Sequence, residues 1–116
     1  MRVLVCGGRD YNNEKKVFEI LSKINKDTPI DCIITGGSTG ADMSGTFWGR
    51  KFCNHVEVYY AEWDKYGRAA GPIRNQKMLE ESKPDMVVAF PGGRGTADMI
   101  YRAGLAKVKI MIVGEE

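Results

Sequence analysis

Hydrophobic residues along this chain cluster into five short runs, each separated by a polar stretch long enough to turn or to form a helix. The runs are Arg2–Cys6 "RVLVC", Asp31–Thr35 "DCIIT", Val56–Tyr60 "VEVYY", Met86–Phe90 "MVVAF" and Lys109–Val113 "KIMIV". Several are continuously apolar rather than alternating, as expected of parallel strands covered on both faces. Between the first two, Val17, Ile20, Leu21 and Ile24 stripe one face of a helix over Asn13–Asn25, with Asn12 or Asn13 as its cap. Further helices are predicted over Ala41–Phe52, Ile73–Ser82 and Thr96–Ala106. Strand–helix alternation throughout predicts right-handed crossovers and an α/β fold: a Rossmann-like, doubly wound, mainly parallel five-stranded sheet. With no linker, repeat or low-complexity segment, residues 1–116 are expected to form one domain.

The glycines change the picture from architecture to chemistry. Ligands of an open parallel sheet bind beyond the carboxyl ends of its strands. Three of the predicted strands end in Gly-Gly pairs: "CGGRDY" with Gly7, Gly8 and Arg9; "TGGSTGAD" with Gly36, Gly37, Thr39, Gly40 and Asp42; and "PGGRGTAD" with Gly92, Gly93, Arg94, Gly95, Thr96 and Asp98. Bare backbone lets N–H groups approach a ligand, and the helix that follows adds unpaired donors and a positive dipole end. Three such loops on one rim point to a phosphate or nucleotide. Taken singly, each loop can equally be a tight strand-to-helix turn. The motif is not a standard one, lacking the Lys-Ser/Thr of a P-loop and a GxGxxG after the first strand. Thr39 and Thr96 stand where they can cap helices or donate to a ligand oxygen. Asp42 and Asp98 fall near helix starts, where a carboxylate is also favourable on its own account.

The segment "AEWDKYGRAAGPIRNQKM" completes the rim. Trp63 and Tyr66 can stack on a base or pack under the loop, and Asp64 can accept from a base or ribose hydroxyl. Pro72 suits a first helical turn, which places Arg74 and Asn75 at the N-terminal end of the third helix. A cation there opposes the helix dipole, a cost that an anionic ligand explains. Met43 and Met99 are expected to face the core.

Composition excludes more than it identifies. The net charge of +2, with basic residues scattered, gives no reason to expect DNA or an anionic membrane as partner. No apolar run approaches the ~20 residues of a membrane span. The start "MRVLV" carries no cleavage-site pattern, so a cytoplasmic location is expected. Cys6, Cys32 and Cys53 include no CxxC pair, and with His55 as the single histidine no metal site is expected. No cofactor is expected either.

The blocks "VCGGRDY", "ITGGSTGAD", "AEWDKYGRAAGPIRNQKML" and "PDMVVAFPGGRGTADM" together resemble the SLOG superfamily, in its YspA / cpYpsA-related branch. The chain is thereby also similar to the Lonely-guy (LOG) enzymes and to lysine decarboxylase-like Rossmannoid proteins. The resemblance implies binding of a nucleotide or of an NAD-derived, ADP-ribose-like or cyclic phosphorylated ligand, by a homodimer or higher homo-oligomer. Phe47, Trp48 and Phe52 are candidates for that contact or for the core.

The Lonely-guy enzymes release a base from nucleoside 5′-monophosphates, with a pattern resembling an Arg on the third helix followed by PGGxGTxxE. Arg74 matches the Arg, and Pro91, Gly92, Gly93, Gly95 and Thr96 match the loop. The final Glu falls on Met99. Asp98 lies one residue early, about 100° around the helix. Losing a general acid–base group typically costs about 10²–10⁴-fold in rate. The residues therefore favour a binder, as sensor or sequestering protein. A phosphoribohydrolase using Arg74 and Asp98 is the alternative, and a DNA-processing accessory protein a further one.

Overall fold

The computed structural model describes residues 1–114. Its strands are β1 (Arg2–Cys6), β2 (Cys32–Thr35), β3 (His55–Val58), β4 (Met86–Ala89) and β5 (Lys109–Ile112). Its helices are α1 (Glu14–Asp27), α2 (Ala41–Phe52), α3 (Trp63–Tyr66), α4 (Ala70–Ser82) and α5 (Arg94–Leu105), with a 3₁₀ turn at Gly67–Ala69. The strands pair in the order β3-β2-β1-β4-β5, every pair parallel. This is the doubly wound arrangement that the alternating pattern predicts.

The continuous apolar runs are explained by what covers them. In β1, Val3 and Val5 join a cluster with Val17, Leu21, Ile33 and Trp48 on the side of α1 and α2. Leu4 and Cys6 point the other way, into a cluster with Met78, Leu79, Met99 and Ala103 from α4 and α5. Both faces of the central strands are therefore dry, and no polar alternation survives there. Asn13 caps α1, its side chain accepting from the Lys16 N–H at 3.1 Å. Met99 is buried as expected, whereas Met43 is 43% exposed on the outer face of α2. Among the α2 aromatics, Trp48 belongs to the core, with its indole N–H donating to Ser22 Oγ at 3.0 Å. Phe47 and Phe52 remain exposed.

Two local differences from the sequence pattern bear on the site. The segment after β3 forms the short α3 and the 3₁₀ turn rather than a loop, and α4 begins at Ala70, three residues before Ile73. Proline lacks only an N–H that the first turn leaves unpaired, so Pro72 marks that turn without marking its first residue. Arg74 and Asn75 consequently lie one turn inside α4. Among the described residues, no helix is long and apolar enough to cross a membrane.

Candidate functional site

The chain leaves β1 toward one side of the sheet and β4 toward the other, so the carboxyl ends of these neighbours open a crevice at the switch in strand order. The Gly8 N–H donates to Pro91 O at 2.8 Å and ties the first glycine loop to the third. The second loop braces the first. Gly40 has φ +75°, and a Cβ there would collide with Gly8 O. The same Gly8 O accepts from the Ala41 N–H at 3.3 Å, and Thr39 donates its hydroxyl to Arg9 O at 3.1 Å. The start of α2 is thus occupied by protein, and its glycines serve close backbone packing.

The start of α5 is different. No side chain caps it, and a Cβ at Gly93 or Gly95 would meet nothing within 4 Å. Packing therefore does not require glycine at either position. Bare backbone there leaves the first-turn N–H groups facing a cavity of about 810 Å³, which is roomy enough for a nucleotide-sized molecule. Thr96 lies within the first turn, buried at the cavity wall, and does not act as a cap.

Most of the sequence-predicted residues meet around this cavity: Gly7, Gly8, Arg9, Gly36, Asp42, Trp63, Arg74, Asn75, Gly92, Gly93, Arg94, Gly95, Thr96 and Asp98. Five do not line it. Gly37 lies beneath the Tyr60 ring, Thr39 and Gly40 support the first loop, and Asp64 and Tyr66 are exposed on α3. Arg68 lines the wall although the glycine pattern gave it no weight as a phosphate partner. Its signal was its place in the basic and aromatic segment before α4. Trp63 is half-exposed over Gly71, with the Arg9 guanidinium 5.1 Å from its ring centroid. That cation–π contact orients Arg9 toward the cavity mouth.

The wall carries Arg9, Arg68, Arg74 and Arg94 against Asp10, Asp42 and Asp98. Two of these aspartates have defined surroundings. Asp98 Oδ2 accepts from Arg102 Nε at 2.8 Å and from Asn75 Nδ2 at 2.9 Å, so its charge is largely neutralised in place. Asp42 is buried at the start of α2, and burial pushes its carboxyl up to about 6. The Ser38 N–H, at 3.3 Å, and the guanidiniums of Arg74 and Arg9 offset part of that burial.

Arg74 does not project from a helix end. It reaches across to Gly36, donating to Gly36 O at 2.6 Å, to Tyr59 O at 3.4 Å and to Asn75 Oδ1 at 3.0 Å. Burial lowers its pKa, and Asp42 counters the shift. A guanidinium fixed by three acceptors loses little freedom when it meets an anion. Asn75 is likewise held, donating to Gly95 O at 3.2 Å and so linking α4 to the open turn of α5.

The position corresponding to the Glu of the Lonely-guy pattern is Met99, 1% exposed within the core cluster beneath α5. A carboxylate in its place would face the sheet and not the cavity. Asp98 faces the cavity wall, already paired.

The family model described as "YspA, cpYpsA-related SLOG family" matches residues 1–66 of the chain. That span contains the first two glycine loops and α3. The chain is also similar over its full length to the Gene 61 protein of Mycobacterium phage D29. The two are 29% identical over 123 residues, covering 99% of this chain and 98% of the relative.

Proposed function

The chain belongs to the YspA, cpYpsA-related SLOG family, and from that premise we propose that it binds a phosphorylated, nucleotide-derived ligand in the glycine rim and holds it without cleaving it. Family membership is consistent with nucleotide-related binding or processing in general. The observation that carries the narrower reading is the open first turn of α5. Gly93 and Gly95 have free space above them, beside an electropositive wall. In this reading the ligand phosphate accepts from the N–H groups of that turn, with Arg94 and Arg9 closing over it. Trp63 at the mouth supplies a face for a base, and the anchored Arg74 meets a second phosphate or a ribose oxygen.

Holding is favoured over cleavage by the state of the carboxylates. Asp98 is engaged by Arg102 and Asn75, and the Glu position of the hydrolytic pattern is a core methionine. The phosphoribohydrolase reading, with Arg74 and Asp98 as its acting groups, keeps both side chains at the cavity wall but needs Asp98 released from Arg102 and Asn75.

Two assays separate the readings. Calorimetry against AMP, NAD, ADP-ribose and cyclic derivatives is expected to give heat for at least one of them, and silence across the panel would sink the binding proposal. Chromatography of the same mixtures is expected to show intact ligand after prolonged incubation. Free base above a buffer control would replace the holding reading with the hydrolytic one.

A further inference from the structure

We propose that Cys32, His55 and Glu57 form a binding site for a borderline-soft divalent cation of the Zn²⁺ class, clamping β2 to β3 near the end of the sheet away from the glycine rim. Sequence spacing conceals this set, since Cys32 and His55 are far apart in the chain and form no paired motif. Parallel register brings them together: Cys32 stands directly opposite His55, and Glu57 follows two residues along β3 on the same face.

The donor atoms already lie close to the edges of a coordination polyhedron. Cys32 Sγ is 3.8 Å from Glu57 Oε2, His55 Nε2 is 3.4 Å from the same oxygen, and all three atoms fall within 4.8 Å of one another. Metal–ligand bonds of about 2.0–2.3 Å in a tetrahedron put donors about 3.3–3.6 Å apart. The remaining edge, Sγ to Nε2, closes by rotation of His55, whose side chain is 62% exposed. Thiolate, imidazole and carboxylate together suit Zn²⁺ or Co²⁺ better than Mg²⁺ or Ca²⁺. On binding, the Cys32 thiol releases its proton to solvent, and a water takes the fourth position.

Supporting contacts orient the carboxylate. The Tyr59 hydroxyl donates to Glu57 Oε1 at 3.3 Å, as the outer partner of a ligating carboxylate commonly does. Arg2 donates to Glu57 Oε2 at 2.8 Å, and its positive charge is the chief cost to a cation. Its separate bond to Ser82 O at 2.8 Å gives the guanidinium a place to remain when Oε2 turns to the metal.

The test is a titration of the reduced, tag-free, metal-free chain with Co²⁺, followed through thiolate-to-cobalt charge-transfer absorbance and reversed by Zn²⁺. A one-to-one complex is expected. His55→Ala and Glu57→Gln should each weaken it at least ~10-fold, the lower end of the loss for even an outer partner. Cys53→Ser should leave it intact, because the Cys53 thiol points to Ile30 O instead. Cys32→Ser should abolish the band, and since that residue is buried, the exposed His55 variant carries the decision should the Cys32 variant not fold. Absence of a band in the wild-type chain, a band of full strength in His55→Ala, or its loss in Cys53→Ser would each overturn the proposal.

Discussion

Asp42 offers a quantitative test of the cavity's electrostatics. Its carboxyl is pushed from an ordinary 3.8 to about 6, with burial as the main cause. The folded pKa is raised, so between those two values the native state binds a proton that the unfolded chain does not. Native stability attributable to Asp42 therefore increases as pH falls from 7 to 5. With a folded value of about 6 against 3.8, linkage gives a gain on the order of 1 kcal/mol over that interval, or a few degrees in melting temperature. Other carboxylates titrate over the same range, so the quantity to measure is a difference. Wild type and Asp42→Asn are unfolded in urea at pH 7 and pH 5, because asparagine keeps the shape and removes the titration. The wild type should gain on the variant by something on the order of 1 kcal/mol on acidification. A difference that stays constant, or that shrinks at pH 5, would mean that Asp42 is not held uncomfortably charged at neutral pH.

Other outcomes follow from the same contacts. Gly95→Leu should not lower the melting temperature, since its Cβ enters open space and leucine is a better helix former than glycine by roughly 0.5–1 kcal/mol, yet it should remove most of the ligand-binding heat. Gly40→Ala should cost about 1–3 kcal/mol in urea unfolding, because a side chain at φ +75° is strained and drives into Gly8 O. Trp48→Ala should cost about 3–5 kcal/mol by the same measurement, leaving a cavity between α2 and the sheet.

How much of this was legible in the sequence differs from element to element. The five strands and four long helices were readable because the central strands are dry on both faces, which writes itself as uninterrupted apolar runs. The crevice was readable because glycine pairs follow three strands. The sequence could not distinguish a glycine required by packing from one required by a ligand. Gly40 and Gly95 look alike in a motif, but one abuts the Gly8 carbonyl and the other faces empty space. Arg74 was expected at a helix end because Pro72 suits a first helical turn and the apolar pattern started the helix at Ile73. The extra turn of α4 sends its guanidinium to Gly36 O instead. The Cys32–His55 juxtaposition depends on strand register, which no local pattern encodes.

The central claim is that the open turn of α5 receives a phosphate. Its most direct test is parallel calorimetry of the wild-type chain with an adenine nucleoside and with the phosphorylated or ADP-ribose form of the same nucleoside, at low and high salt. Heat is expected only from the phosphate-bearing ligand, with an affinity that weakens as salt rises and is lost in Gly95→Leu. Equal binding of the unphosphorylated nucleoside, or full binding by Gly95→Leu, would contradict it.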